Sequence, residues 1–295
     1  MKKGFVPALG TPLDSAGNLI VDSYRKQIND QINAGAVGLL AMGSMGIQAF
    51  IRNDVYPLVA KAAVDATAGH VPVFIGAMDT SIARARERME RLEDLDIAGF
   101  VLTAPYYSPA TSKQMIRFFE EAAKSTKHRI LLYDLPGVTQ SKITYDMVLE
   151  LLRTVPNFGG IKSADTAMFR KLKLCSAVPS DFVMVYSGLD TFDIAYRWGI
   201  DTCLDGMLSC TPATTKRLFE SMAKGDYCEA AEKLNRILEL RDLFLSCDLW
   251  PSYTVAMNLL GYSGSYGPDY VSVISDSAAV RIREKMLEMG ELVTV

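Results

Sequence analysis

A lysine closes one apolar run of this chain: Phe158, Gly159, Gly160, Ile161 and Lys162 lead directly into the polar Ser163 and Asp165. The preceding apolar run, Ile130-Leu131-Leu132-Tyr133, ends before Asp134-Leu135-Pro136. An amine and a phenol at equivalent ends of neighbouring strands suit imine chemistry. The amine attacks a carbonyl, and the phenol moves the protons of the carbinolamine. An amine is nucleophilic only when neutral, so Lys162 needs a partly desolvated mouth that disfavours its cation. The plain alternatives are a lysine that ends a strand to reach water and a tyrosine ring that caps a barrel.

Other candidates surround this pair. The loop Gly43-Ser44-Met45-Gly46 has two glycines, which let backbone N–H groups approach an anion closely, and a hydroxyl at Ser44, so it is read as a carboxylate cradle or as a tight turn. Tyr106 and Tyr107 either complete a hydroxyl relay or pack at an interface. Gly188 and Ser209 follow later strands and join Gly43 and Ser44 as candidate substrate contacts, with Lys162, Tyr133 and Tyr107 as the catalytic candidates. His70 and His128 precede strands and so belong on the opposite face as surface residues, which removes a His-ligated zinc and a Ser-His-Asp triad. Asp134, Asp165 and Asp190 are read as helix caps or solvated carboxylates, with a magnesium site as the alternative. No cofactor or metal is expected.

The elements that must position these groups recur with one rhythm up to residue 224. Apolar runs at 5–9, 37–42, 71–76, 99–103, 130–133, 159–162, 182–186 and 202–208 alternate with amphipathic segments, and several are apolar throughout, as in parallel strands buried on both faces. Val21, Tyr24, Ile28 and Ile32 share one helical face; Ile82, Ala85, Met89 and Leu92 share another. Asp22, Thr80, Ser112 and Thr144 are expected caps, Pro212 opens a helix after Thr211, and Gly35 and Gly225 are stops. Eight such units make a (β/α)8 TIM barrel, whose chemistry sits at the C-terminal strand ends. An open doubly wound sheet is the rival, but no GxGxxG follows the first strand. Beyond residue 224 the strand signal stops, and helices at 227–245, 251–260 and 276–289 form a three-helix extension. The expected units are therefore a barrel at 1–224 and a helical extension at 225–295.

A net charge of −3 with no concentrated basic stripe argues against nucleic acid. No apolar run reaches the ~20 residues of a membrane span, and Met1-Lys2-Lys3-Gly4 opens no signal core. The five cysteines, Cys175, Cys203, Cys210, Cys228 and Cys247, form no CxxC pair, and their odd count argues against a disulfide framework. A reduced, cytoplasmic protein is expected.

In order and spacing, Pro7-Ala8-Leu9-Gly10-Thr11-Pro12, the Gly43–Gly46 loop, Pro105-Tyr106-Tyr107, the tyrosine–proline motif at 133–136, Gly160-Ile161-Lys162 and the helical tail resemble the dihydrodipicolinate synthase / N-acetylneuraminate lyase superfamily of class I aldolases. The resemblance implies a barrel that assembles as a homotetramer, a dimer of dimers. In it Lys162 forms a Schiff base with pyruvate or another 2-oxo acid, and Tyr133 relays protons. Gly43 and Ser44 hold the carboxylate, and Tyr107 reaches a neighbouring subunit's site. Three departures bear on the substrate. Where the family loop commonly carries a second hydroxyl and a glutamate, this chain has Met45 and Ile47; a lost hydrogen bond to a charged group is worth ~1–3 kcal/mol. The arginine that grips the second substrate in dihydrodipicolinate synthases is missing from Pro136-Gly137-Val138-Thr139. The threonine and glutamate that sialic-acid lyases use for sugar hydroxyls are missing too: Ala164 stands two residues after the lysine, and Gly188-Leu189-Asp190-Thr191 holds no glutamate. Neither of those two activities is expected. The expected reaction is 2-oxo acid lyase or aldolase chemistry through Lys162. Alternatives are a 2-oxo-3-deoxy sugar acid dehydratase using the same imine, a weakened relative that only binds an oxo acid, and a metal-dependent oxo-acid lyase.

Overall fold

Eight apolar runs become eight parallel strands: β1 (Gly4–Pro7), β2 (Leu39–Ala41), β3 (Val73–Gly76), β4 (Gly99–Thr103), β5 (Ile130–Tyr133), β6 (Phe158–Ser163), β7 (Val183–Tyr186) and β8 (Thr202–Asp205). They pair in the order β1-β8-β7-β6-β5-β4-β3-β2. The ring closes between β1 and β2, where Val37 N–H donates to Phe5 O at 2.9 Å and Leu9 N–H to Leu40 O at 2.9 Å. The structure, a computed structural model, describes residues 2–293. Residues 1, 294 and 295, the outermost ends of the two expected units, lie outside the described residues.

Alternation of side chains along each strand divides the core into two layers. Val6, Leu40, Phe74, Val101, Leu131 and Val185 fill the barrel interior with Tyr133 and Leu204. The intervening residues, such as Phe5, Leu39, Ile75, Phe100 and Leu132, face outward under the helices. The connecting helices are α1 (Val21–Asn33), α2 (Tyr56–Thr67), α3 (Ile82–Glu90), α4 (Ser112–Ala123), the short α5 (Pro136–Thr139), α6 (Tyr145–Thr154), α7 (Thr166–Leu174), α8 (Phe192–Arg197), the short α9 (Met207–Cys210) and α10 (Pro212–Lys224). On α4, Met115, Phe118, Phe119 and Ala122 are buried, and each large side chain of such a face contributes ~1.5–3 kcal/mol.

Several expected caps move by a residue or two. Ser81, not Thr80, caps α3 by accepting Arg84 N–H. Thr111, not Ser112, opens α4 in a capping box with Gln114. Asp22 lies within the first turn of α1, whose N-cap is Ile20 without a side-chain bond. Thr144 caps α6, Pro212 opens α10, and Gly225 ends it at φ +78°, as expected. Two strand ends also differ. β2 stops at Ala41 because Met42 turns to φ +52°. The run at 202–208 is a strand only as far as Asp205; after Gly206 the chain coils into α9.

The tail forms α11 (Tyr227–Cys247), α12 (Leu249–Leu259) and α13 (Asp276–Glu288). Its buried residues, among them Leu234, Phe244, Met257 and Ile282, share one hydrophobic cluster with the outer layer of the barrel. No helix among the described residues is long and apolar enough to cross a membrane.

Candidate active site

The register β4-β5-β6 sets Thr103 beside Tyr133 and Tyr133 beside Lys162, all three at the C-terminal strand ends. Strand alternation turns Lys162 to the barrel interior: Ile161 sits in the outer layer, while Tyr133 on the neighbouring strand belongs to the inner cluster. Lys162 and Tyr133 are each 6% exposed, and Lys162 Nζ stands 3.7 Å from the centroid of the Tyr133 ring. Among the described residues Nζ has no carboxylate within 4.0 Å, so the amine rests on an aromatic face rather than in an ion pair. Sequence spacing alone did not establish that contact.

The residues flanking the pair lock the two strand ends together. Asp134 is buried and accepts from Ser163 Oγ at 2.7 Å and from Ile143 N–H at 3.0 Å. Lys142 bridges Asp134 and Asp165. Of the three aspartates expected as caps, only Asp165 is one, accepting Met168 N–H at 2.8 Å above α7. Asp134 is a strand-end tie, and Asp190 takes a bidentate pair from Arg241 at 2.7 Å for each bond. Each of the three carboxylates thus has a partner within the fold. Among the described residues no three His, Cys, Asp or Glu side chains cluster as a metal site.

The Gly43–Gly46 loop folds over the mouth as a turn. Ile47 N–H donates to Ser44 O at 3.0 Å, Gln48 N–H to Gly43 O at 3.4 Å, and the Thr11 hydroxyl to Gly46 O at 2.8 Å. None of these bonds consumes the N–H of Ser44 or Met45. Gly43 is buried with Leu40 against it, whereas Ser44 is exposed. Met45 packs on the inner cluster and lies so close to Gly206 that a Cβ there would fall 1.9 Å from Met45 Cγ. The thioether therefore occupies the mouth between the β2 loop and β8.

The other candidates scatter. Gly188 lies at the β7 end, where a Cβ would strike the Tyr186 hydroxyl at 2.4 Å. Ser209, expected as a substrate contact, is fully buried in α9, and its hydroxyl donates to Ala8 O at 2.6 Å. Its displacement follows from the early end of β8. Tyr107 is 95% exposed with φ +87°, turned away from its own barrel. His70 is exposed, but His128 is half-buried, its Nε2 2.9 Å from Glu93 O and its ring edge-on to Phe100.

Two residues join the mouth that the spacing did not single out. Asp205 is half-buried at the end of β8, and its carboxylate accepts Met207 N–H at 2.8 Å. Burial pushes its carboxyl above the usual range, opposed by that N–H and by the charge of Lys162. It looked like mid-strand in the apolar run, and the signal was Gly206 immediately after it. Thr103 is 2% exposed, and its hydroxyl has no hydrogen-bond partner among the described residues. It was visible as the last residue of a strand. With Ser44 and Tyr106 it lines a cavity of about 470 Å³. Burial, and then the charge of Asp79, push the Tyr106 phenol up.

A parallel eight-stranded barrel with a buried lysine and tyrosine side by side at its C-terminal mouth defines the class. Within that class the chain belongs to the Dihydrodipicolinate synthetase family, which it matches over residues 1–268. It is 30% identical to a 4-hydroxy-tetrahydrodipicolinate synthase of Pseudoalteromonas atlantica over 81% of this chain and 82% of that one. Its fold is shared with an N-acetylneuraminate lyase of Proteus mirabilis, at a TM-score of 0.89 and 17% identity over 99% of both chains. It is shared as well with a prophage protein of the dihydrodipicolinic acid synthase family from E. coli K12 in complex with pyruvate, at a TM-score of 0.87 and 22% identity, covering 98% of this chain and 99% of that one.

Proposed function

We propose that the protein is a Schiff-base lyase or aldolase acting on a 2-oxo acid, with pyruvate as donor or product. The observation that carries this reading is Lys162 Nζ held 3.7 Å from the Tyr133 ring at the barrel mouth. Lys162 attacks the ketone carbon, and Tyr133 delivers the proton with which the carbinolamine loses water. The resulting iminium draws in the electrons of the C3–C4 bond as the C4 hydroxyl gives up its proton, so that bond breaks to an enamine and an aldehyde, or forms from them in reverse. The unconsumed N–H groups of the Gly43–Gly46 loop, with the Ser44 hydroxyl, supply donors for the carboxylate. Pyruvate in the complex of the E. coli neighbour supports the same donor.

A weakened, oxo-acid-binding relative is the second reading, and Met45 favours it by placing a thioether where the family carries a hydroxyl. Gly188 at the β7 end and Tyr107 reaching a neighbouring copy are secondary parts of the proposal, as is a homotetramer. The deciding experiment is borohydride reduction in the presence of pyruvate, followed by peptide mass spectrometry. A stable adduct on Lys162, lost in Lys162→Ala, is expected. Pyruvate binding without modification of Lys162 would overturn the imine reading. Adduct formation without turnover of any aldol would favour the second reading.

A further inference from the structure

The inner face of α3 carries a charge where its period calls for an apolar residue. Its buried positions are Ala85, Arg88 and Met89. A buried guanidinium is costly unless it is paired and hydrogen-bonded. Arg88 meets that condition around the ends of β2 and β3. Its Nε forms an ion pair at 3.0 Å with Oδ2 of Asp79, a carboxylate that is itself buried. Its guanidinium lies over the Tyr56 ring at 5.2 Å, and the Tyr56 hydroxyl donates to Gly76 O at 2.9 Å. Nη1 donates to Gln48 O and to Met78 O, each at 3.3 Å.

Those two carbonyls belong to different loops of the mouth. Gln48 closes the Gly43–Gly46 turn, its N–H donating to Gly43 O at 3.4 Å, and Met78 follows β3. The tie between them stands where the sheet no longer supplies one. Pairing of β2 with β3 ends at Ala41 and Ile75, and the turn of Met42 to φ +52° takes the chain off the ladder. Past that point Arg88 links the two loops, together with the Gln48 amide, whose Nε2 donates to Met78 O at 2.6 Å. Asp79 keeps the guanidinium aimed. Arg84 Nε and Thr80 N–H donate to its Oδ1 at 2.6 and 2.7 Å, which leaves Oδ2 to Arg88. The turn is thus held at Gly46 by the Thr11 hydroxyl and at Gln48 by Arg88.

We propose that Arg88 is a positioning residue for the carboxylate-binding loop. From α3 it acts through the Gln48 and Met78 carbonyls, which fix the Ser44 and Met45 N–H groups over the barrel mouth. This deepens the reading of Gly43–Gly46 as a carboxylate cradle and rests on it. Loss of Arg88 weakens the hold on the carboxylate in ground state and transition state alike, so it raises KM and leaves kcat. The effect is confined to ligands that carry the carboxylate charge. Lysine is a poor replacement, because one ammonium keeps the charge opposite Asp79 without spanning the carboxylate and both carbonyls.

The test follows borohydride trapping on Lys162 against concentration, for pyruvate and for its uncharged amide, pyruvamide. It compares the parent with Arg88→Met, Arg88→Lys and Ile282→Ala. The parent is expected to half-saturate with pyruvate at a lower concentration than with pyruvamide. Arg88→Met is expected to raise the pyruvate value about tenfold and the pyruvamide value less than about twofold, with trapping at saturation unchanged. Arg88→Lys keeps the ion pair, folds as the parent does, and is expected to raise the pyruvate value about threefold. Ile282→Ala, destabilised in the tail, is expected to shift neither value, which separates positioning from a general loss of stability. An unchanged pyruvate value in Arg88→Met, or an equal loss for both ligands, would overturn the inference. Should that variant not fold, an unchanged value in Arg88→Lys would overturn it equally. A parent that traps the two ligands alike would instead remove the carboxylate cradle, and one that traps neither would sink the imine reading.

Discussion

At the residue scale the mouth sets a buried lysine amine on the ring of a tyrosine, with a thioether packed nearby against Gly206. Tyr133→Phe keeps the ring under Lys162 and removes the proton, so kcat is expected to fall about 10²–10⁴-fold while pyruvate is still trapped. Steady-state rates and mass spectrometry on the same variant check this pair of outcomes. Met45→Thr returns a hydroxyl to the mouth and clears the space over Gly206. A net hydrogen bond of about 0.5–1.5 kcal/mol predicts a KM for pyruvate about 2–10-fold lower, and an unchanged or raised KM would contradict that role. Asp205 gives a pH signature. Its folded pKa is raised, so the stability it supplies is complete below the ordinary carboxylate value near pH 4 and is lost as pH rises through the folded value. Asp205→Asn should therefore flatten a decline in stability upward from about pH 4, measured as urea midpoints across that range. Equal slopes for the two proteins would refute it.

At the scale of elements, the position of Lys162 depends on how β5 and β6 end. Tyr133 and Lys162 are register partners, and the next residue of each strand, Asp134 and Ser163, closes the junction with a 2.7 Å bond. Asp134→Ala strands Ser163 Oγ and Ile143 N–H, at about 1–3 kcal/mol for each buried donor left unsatisfied. Chemical denaturation should show the loss of stability, and kcat should fall with it because the amine is no longer held against the ring. A variant as stable and active as the parent would remove Asp134 from this role. Asp134 was legible as a residue after a strand, but its job was not. A carboxylate that caps a helix and one that ties two strands look alike until the strands are paired.

On the scale of the whole molecule, the tail and the barrel share one hydrophobic cluster. Ile282 of α13 is fully buried in it, and Ile282→Ala is expected to cost about 2–5 kcal/mol. If the tail and the barrel unfold as one unit, fluorescence and circular dichroism will report a single shared transition in the variant. Two separated transitions would show that residues beyond 224 form an independent domain.

Most of the architecture was written in local patterning. Uniformly apolar runs require burial on both faces, and their alternation with amphipathic helices leaves few topologies besides a closed barrel. That patterning also determined where Lys162 and Tyr133 must emerge, since a strand that ends in a polar turn delivers its last side chain to the rim. It did not determine which hydroxyls converge, because convergence depends on pairing across strands distant in sequence. Ser209 is buried in α9 with its hydroxyl on Ala8 O, and Asp205 takes the strand end, because β8 ends early at Gly206, a boundary that an apolar run cannot mark. Thr103 acquired its unpartnered hydroxyl only once β4 and β5 were in register. The cavity beside Ser44 and Tyr106 is likewise a tertiary fact, since Phe50, Met78, Leu135, Val138 and Trp250, which also line it, come from separate loops and from the tail. The sequence by itself determined which strand end carries Lys162 and the face of the barrel it reaches; only the folded chain decided what surrounds that amine, because enclosure is a property of packing between segments and not of any one of them.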